Sequence, residues 1–293
     1  MIEINKDNSL LVFKKGYTPE FVYSIIKKNN LNGLQIFAHL NENRLENLDF
    51  LEHYSFLETL EISSVDDYNF NFLSALKELK KLSIIIDGKN SIDLCNQSNL
   101  KSLSIKWRKG KIRGLELCNN LKDLCLIEFN ENDFNAIKFL NRLETLKVKT
   151  SLIKSLNGLE ELVSLKELLF GNCKNLKSLN GIENIYQIKT LSFNGCPNVF
   201  DFSNIMYLTN IEKLEITDCK IIKSIYFIEN LKSLKELIIL GNSDIIDGDL
   251  FPAKKIENLV YNHLNHYNVK IENKSNSLLI KQNLDKIKRL FNR

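Results

Sequence analysis

The sequence predicts an α/β solenoid, in which a parallel concave sheet is backed by 3₁₀ turns and short helices and is capped at both ends. Three observations lead to this fold class. A six-residue apolar motif recurs about every 22 residues, a second apolar row follows it at every third residue, and the two ends of the chain have other patterns. Because one coil of strand and return segment cannot bury its own apolar rows, such coils must stack.

The composition is that of a folded chain. Hydrophobic residues make up 44% of the 293 residues and charged residues 26%, and the longest apolar runs fall far short of the roughly 18 to 20 residues that cross a bilayer. The first residues contain no apolar segment of the kind that directs secretion. Six scattered cysteines lack the density of a secreted disulfide scaffold. We therefore predict a cytoplasmic protein with reduced thiols. The sequence leaves the oligomeric state open, and a monomer is favoured.

The repeated motif has the form apolar-x-x-apolar-x-apolar. Successive copies begin 26, 22, 21, 21, 22, 22, 23, 23, 23 and 22 residues apart. Alternation within each copy predicts a short strand that sends one set of side chains inward and the other outward, and stacked strands form a parallel sheet. The eleven copies begin at Leu31, Leu57, Leu79, Leu100, Leu121, Leu143, Leu165, Ile188, Ile211, Leu234 and Ile256.

The segment that follows each strand has a different rhythm. After Cys173 the apolar residues recur at every third position, and the same spacing follows Cys196. A three-residue period fits 3₁₀ turns that drive one row of side chains into the coil.

One position in the repeat carries small polar or sulfur side chains. Eight residues after the start of a copy, this position holds Cys173, Cys196, Cys219 and Asn242 at spacings of 23. A metal or stacked thiol site is the alternative use of these cysteines, but no His or second Cys lies nearby in sequence. The five preceding copies break the pattern with Val65, Asp87, Arg108, Phe129 and Ser151, which predicts a less regular amino-terminal half.

Together with the turns Asn157-Gly158 and Asn180-Gly181, these features resemble the leucine-rich repeat proteins, specifically the bacterial short-repeat class of the internalin repeat regions. The resemblance covers roughly residues 31 to 264. It implies that the Cys and Asn side chains turn inward as a ladder along the solenoid, and that ligands bind on the concave face. It names no partner.

The ends of the chain are predicted to cap the solenoid. Residues 1–30 contain a hairpin signal and then Thr18-Pro19-Glu20, which is typical of a helix start, so they form the N-terminal cap. Residues 31–264 form the solenoid. Residues 265–293 form the C-terminal cap, whose apolar positions Ile280, Leu284, Ile287 and Phe291 predict a basic amphipathic helix that could instead bind a membrane surface or an acidic partner.

Catalytic patterns are sparse. The sequence has no phosphate-binding glycine loop, no H-E-x-x-H and no C-x-x-C. Only four histidines occur, and His263 with His266 would need a third ligand to hold a metal. We therefore predict a protein that is not an enzyme and carries neither cofactor nor metal.

Binding chemistry is expected on the outward strand positions. Apolar and basic outward residues coincide between the copies at Leu79 and Leu143, which is the composition of a protein-binding hot spot with a charged rim. Trp107 is its central aromatic, unless the ring folds back over its own loop. The predicted partner-binding residues are Lys81, Ser83, Ile85, Ser104, Lys106, Trp107, Arg108, Asp123, Ile127, Lys147 and Lys149.

Two classes of function follow from these observations. The first is a module that occupies a protein partner on its concave face, most plausibly a bacterial cytoplasmic inhibitor or immunity protein that occludes a toxin, or else an effector delivered to a host cell. The second is nucleic-acid binding through residues 106–113, whose five cations could neutralise phosphates while Trp107 stacks on a base.

Overall fold

A computed structural model describes residues 2–5, 9–14, 16–38 and 45–268. The predicted C-terminal helix with Ile280, Leu284, Ile287 and Phe291 lies outside the described residues. The chain divides into two compact units, residues 1–127 and residues 128–293.

The first unit contains one α-helix and, among its described residues, one main sheet and one small strand pair. The main sheet has the order β1-β2-β3-β4-β5-β7-β9, antiparallel only between β1 and β2, and β6 pairs with β8 in parallel. The elements are β1 (Ile4–Asn5), β2 (Leu10–Phe13), α1 (Pro19–Lys28), β3 (Gly33–Ala38), β4 (Thr59–Ser64), β5 (Lys81–Ile86), β6 (Ile92–Asp93), β7 (Ser102–Lys106), β8 (Ile112–Arg113) and β9 (Asp123–Ile127).

Helix α1 begins where the sequence signals it. The Thr18 side-chain oxygen accepts a hydrogen bond from the Phe21 amide at 3.2 Å, which caps the helix start, and a proline occupies the first helical position. The helix buries Val22, Ile25 and Ile26, so its apolar face packs inward while its polar face stays outside.

The second unit repeats one coil with little variation. Its sheet has the order β10-β11-β12-β13-β15-β17, entirely parallel within this unit, and β14 pairs with β16 in parallel. Leu168, Leu191, Leu214 and Leu237 are successive partners, so each strand aligns with the next one a full coil away. The strands are β10 (Thr145–Lys149), β11 (Glu167–Gly171), β12 (Thr190–Asn194), β13 (Lys213–Thr217), β14 (Lys220–Ile222), β15 (Glu236–Leu240), β16 (Ser243–Ile245) and β17 (Asn258–Tyr261).

Most return segments contain a short 3₁₀ helix, as their three-residue period predicts, whereas those at residues 87–101 and 128–144 contain none. Each of the eleven predicted copies contributes one strand, so the predicted solenoid architecture is confirmed. The 3₁₀ helices are Asp49–His53, Asn71–Ala75 and Leu115–Leu117 in the first unit, and Leu159–Glu161, Ile182–Asn184, Ser203–Tyr207, Tyr226–Asn230 and Phe251–Ala253 in the second.

Aromatic rings fill part of the core of the second unit, between its strands and its 3₁₀ helices. Phe170 on β11 stacks on Phe193 on β12, with ring centroids 5.3 Å apart. Phe193 in turn meets the edge of Phe202, which precedes a 3₁₀ helix, at 5.4 Å. These contacts define the inward side of the sheet, and the opposite side is called the outward sheet face below.

The inward cysteine ladder is confirmed. Cys173, Cys196 and Cys219 are each 0% exposed. Their thiols donate to carbonyl oxygens of the bend, for example Cys173 to Gly171 at 3.6 Å and Cys219 to Thr217 at 3.3 Å. The hydrogen bond with Cys173, together with burial, raises the pKa of the Cys196 thiol, so it stays protonated as a donor.

The two ends of this ladder differ from the prediction. Asn242 is exposed, and the next residue, Ser243, is buried and accepts a hydrogen bond from the Cys219 amide at 3.1 Å. Gly241, at φ +66°, precedes Asn242, whose amide bonds the Asp218 carboxylate at 2.8 Å on the outside of the coil. At the other end, the buried Ser151 hydroxyl donates to the Phe129 carbonyl at 2.6 Å, so Ser151 belongs to the ladder.

The ladder position should accept a small hydrogen-bond donor and reject a bulky apolar side chain. We expect Cys196→Ser to lower the free energy of unfolding less than Cys196→Leu, because leucine overpacks the closed bend at a cost of about 1 to 3 kcal/mol. Urea unfolding of both variants measures the difference. Equal stabilities would contradict an inward, closely packed site.

Candidate protein-binding face

The outward sheet face of the first unit is ordered by strand register. Parallel pairing places Ser83 beside Ser104 and Ser63 beside Ile85. Lys106, which follows the paired Ile105, lies beside Ile127. On β3, β4, β5, β7 and β9 the side chains of this face are half-buried or exposed, except for Cys125, which is buried. They therefore form rows that run across the strands and not along them.

Ion pairs hold the charged part of this face in place. Lys81 Nζ lies 2.6 Å from Glu61 Oε1, and the Gln35 amide donates to the other oxygen of the same carboxylate at 2.7 Å. Lys106 pairs with Asp87 at the end of the strands. Asp123 is exposed at the start of β9. Lys81 and Lys106 are thus each paired with a neighbouring acid.

A row near the carboxyl ends of the strands holds three apolar side chains, on β3, β5 and β9, which alternate with Ser63 and Lys106. Phe37 is 42% exposed on β3, and Ile85 and Ile127 are half-buried on β5 and β9. Trp107 is also half-buried, and its amide donates to the Ile127 carbonyl at 2.8 Å. Sequence reasoning missed Phe37, although it occupies the same seventh position of its copy as Ile85 and Ile127.

Arg108 is not part of the surface, so its prediction as a partner-binding residue is wrong. Its side chain is 5% exposed. The guanidinium donates to the carbonyls of Asn90 at 2.5 Å and Ile86 at 3.1 Å, contacts Asp67 at 3.3 Å, and lies 5.3 Å from the centre of the Phe70 ring. Arg108 therefore takes the ladder position of its coil and ties the preceding coil to it.

Lys147 and Lys149 lie on β10 of the second unit. Lys147 is half-buried, whereas Lys149 is only 7% exposed, which contradicts its prediction as a surface contact. The reason is general to that unit, since most of its outward sheet face is buried. Leu169, Ser192 and Ile238 on that face are 4%, 1% and 1% exposed.

The charged groove of the second unit offers ion pairs and no convergent acid and base. It is lined at the strand starts by residues of both charges, which include Glu144, Lys166, Lys189, Glu212 and Lys235. Two lysines flank Glu212 at 3.1 and 3.2 Å and lower the pKa of its carboxyl group through hydrogen bonds. Exposed pairs of this kind contribute little to stability.

The histidines do not assemble a metal site within residues 45–268. His266 Nε2 lies 3.1 Å from Asp244 Oδ1, while His263 contacts the Tyr261 ring. Nowhere in the described parts of the chain do three or more His, Cys, Asp or Glu side chains cluster as metal ligands would. Among the same residues, no helix is long and apolar enough to cross a bilayer.

Comparison with known proteins identifies the fold. No protein-family model matches the sequence, and no curated protein matches it. An internalin structure from Listeria monocytogenes is similar, with a TM-score of 0.58, 18% sequence identity, and coverage of 89% of this chain and 88% of the internalin chain. TLR13, in its complex with ssRNA13, is similar with a TM-score of 0.52 and 15% identity over 88% of this chain and 47% of its own. The chain therefore has the leucine-rich repeat fold and resembles the internalins in structure.

Proposed function

We propose that this protein is a non-catalytic binding module whose protein partner occupies the outward sheet face of the first unit. The observation that supports this most is the set of apolar side chains Phe37, Ile85 and Ile127 on alternate strands, with Trp107 beside it. Lys81 and Lys106, which are paired with acids, lie on the same face. Protein interfaces combine an apolar, aromatic-rich centre with a polar rim. A rigid sheet presents such a row without the entropy cost of ordering a loop.

The size of the row also favours a macromolecule over a small ligand. It runs from β3 to β9 across four strand spacings, or about 19 Å. Small molecules bind in concave pockets that bury most of their surface. A long open row of half-buried side chains instead suits the extended surface of a macromolecule that lies across the strands.

Within this class, we favour a bacterial cytoplasmic inhibitor or immunity protein that occludes a toxin. The similarity in fold to a bacterial internalin supports a bacterial binding protein. All six cysteines lie in the described residues without a disulfide, and five are buried, which suits a reducing compartment. An effector delivered to a host cell would use the same binding chemistry in another location.

Nucleic-acid binding through residues 106–113 ranks second. A protein with the same fold was solved with single-stranded RNA, and Lys109, Lys111 and Arg113 are exposed. However, Arg108 is buried and Lys106 pairs with Asp87, so fewer of the five cations remain to neutralise phosphates.

The test is a double variant in the apolar row. We expect Ile85→Thr with Trp107→Ala to weaken partner binding at least about 30-fold, or about 2 kcal/mol, because truncation of hot-spot residues removes buried apolar contact. Threonine keeps the β-branched shape that a strand favours. Affinity capture from the native cell identifies the partner. Calorimetry then measures the affinity of this partner for the native protein and for the double variant.

Leu117→Thr is the matched control. Leu117 is 45% exposed on a 3₁₀ helix of the first unit, away from the outward face. This variant should retain the partner at full affinity. If the double variant and Leu117→Thr weaken binding equally, or if neither weakens it, the interface lies elsewhere. If the captured protein is toxic when expressed alone and harmless when co-expressed with this chain, the immunity role is supported.

A further inference from the structure

The sequence S-L-N-G recurs in two successive return segments of the second unit, each time directly before a 3₁₀ helix. It occupies residues 155–158 and residues 178–181. Both glycines have left-handed backbone, with φ of +94° at Gly158 and +95° at Gly181, which favours glycine at these positions. The asparagine before each glycine is exposed. An exposed asparagine followed by glycine is prone to deamidation, because glycine has no side chain to hinder the reaction.

Deamidation of such a turn begins at the main-chain nitrogen of the glycine. This nitrogen loses its proton and attacks the side-chain carbonyl carbon of the asparagine, and the side-chain amide leaves as ammonia. Water then opens the resulting succinimide ring, which gives aspartate or isoaspartate. The glycine N–H is therefore the group that decides whether the reaction starts.

In both turns a glutamate accepts a hydrogen bond from this N–H. The Gly158 amide donates to Glu160 Oε2 at 2.7 Å, and the Gly181 amide donates to Glu183 Oε2 at 2.9 Å. Each acceptor lies two residues after its glycine, on the 3₁₀ helix that follows. A hydrogen bond to an ionised acceptor is about twice as strong as one between neutral groups. Because the same contact forms in both coils, the glutamate belongs to the repeated motif, which is S-L-N-G-x-E.

We propose that Glu160 and Glu183 protect Asn157 and Asn180 from deamidation. The hydrogen bond must break before the glycine nitrogen can lose its proton and attack. The negative charge that develops on this nitrogen also lies beside a carboxylate, which repels it. Each glutamate therefore opposes the first step of the reaction in two ways. This role is independent of any partner that the protein binds.

The contacts of the first turn show what deamidation would disturb. The Asn157 carbonyl accepts a hydrogen bond from the Phe134 amide of the preceding coil at 2.8 Å. A Cβ placed on Gly158 would lie 2.7 Å from the Phe134 carbonyl carbon, so the turn packs directly on that coil. Isoaspartate lengthens the main chain by one carbon, and this close packing leaves no space for it. Protection of the asparagine therefore preserves the stacking of the coils.

Another Asn-Gly pair of this unit is held by the main chain. Asn194 is the last residue of β12, and the Gly195 amide donates to the Thr217 carbonyl of the next coil at 2.9 Å. The Asn194 side-chain amide donates to the Thr217 hydroxyl at 2.7 Å. Here the glycine N–H is engaged without a carboxylate, so Asn194 serves as an internal reference.

Ageing of the full chain in mildly alkaline buffer tests the proposal, with deamidation at each asparagine measured by peptide mapping and mass spectrometry. We expect Glu160→Ala to raise the rate at Asn157 at least about 10-fold, because a hydrogen bond to a charged acceptor is lost. The rates at Asn180 and Asn194 should stay unchanged in the same molecules. Glu183→Ala should give the reciprocal result, with a faster reaction at Asn180 alone.

Glu161→Ala is the matched control, because it removes the same charge from an exposed position of the same 3₁₀ helix. It should leave every rate unchanged. An unchanged rate at Asn157 in Glu160→Ala would overturn the proposal, and so would a slower one, which would mean that the carboxylate assists removal of the proton. Equal acceleration at Asn157 and Asn180 would indicate a loosened unit and would also overturn it.

Unfolding should abolish the protection. In concentrated urea the native chain and Glu160→Ala should deamidate at Asn157 at equal rates, because the hydrogen bond to Gly158 no longer forms. A difference that persists in urea would arise from the local sequence and would contradict a role for the folded turn.

Discussion

Replacement of Phe193 by alanine is expected to lower the free energy of unfolding by about 3 to 5 kcal/mol, the range found for aromatic truncation in closely packed cores. Phe193 is fully buried on β12. Its ring stacks on Phe170 at 5.3 Å and meets the Phe202 edge at 5.4 Å. The truncation therefore removes contacts with the preceding coil and with the return segment of its own coil, and it leaves a cavity between them.

Phe200 serves as the comparison for this effect. It lies on the same coil and is 54% exposed. Phe200→Ala should change the free energy of unfolding by less than about 0.5 kcal/mol, as surface substitutions do. Urea unfolding followed by far-ultraviolet circular dichroism measures both variants. Similar losses for Phe193→Ala and Phe200→Ala would show that the ring stack is not the core of this unit.

Substitution of Arg108 by methionine should lower the free energy of unfolding by about 2 to 4 kcal/mol. The change leaves the carbonyls of Ile86 and Asn90 without the guanidinium donor, and it removes the cation beside Asp67. Unsatisfied buried acceptors and a broken buried ion pair each cost on this scale. Asp67 retains amide hydrogen bonds from Lys89 and Asn90, which places the expected loss below the upper limit for a fully buried pair.

Lys109→Met removes the same charge one residue later, at an exposed position. It should leave the free energy of unfolding within about 0.5 kcal/mol of the native value. Thermal unfolding of the two variants separates a structural role for Arg108 from a role in binding. If Arg108→Met were as stable as Lys109→Met, the buried contacts of the guanidinium would contribute nothing net.

The strands and their order followed from the sequence because burial imposes the pattern directly. Inward leucines such as Leu168 and Leu191 must recur at each coil, and a shift of one residue would turn them to the outward face. The three-residue spacing predicted the 3₁₀ helices for the same reason, since each return segment has one row that faces the core.

The burial of Arg108 did not follow from the sequence, because Arg108 lies among the four other cations of residues 106–113 and its partners are distant in sequence. Asp67 lies 41 residues earlier, and the pattern of residues 106–113 contains no sign of it. Asn242 illustrates a second limit, since Gly241 at φ +66° precedes it and the ladder contact passes to Ser243.

The candidate site was predicted only in part. Alternation identified which side chains point outward, and the apolar row with Ile85 and Ile127 was found on that basis. It could not show which outward side chains are buried, so Lys149 was predicted at the surface although it is only 7% exposed. Ser104 and Ser192 occupy the same position of the repeat. Ser104 is half-buried and Ser192 is buried, a difference that only the folded structure shows.

The uniform register of the second unit has a kinetic consequence. Each strand pairs with the next one 22 or 23 residues away, so the strand pairing of this unit joins only neighbouring parts of the sequence. The entropy lost on closing each coil is therefore nearly constant, and it does not grow as coils are added. Folding of such an array can nucleate at whichever coil is locally most stable and then propagate in both directions. A destabilised coil in the middle would stop folding from propagating between the coils on its two sides. A destabilised coil at an end would only reduce the number of coils that fold together.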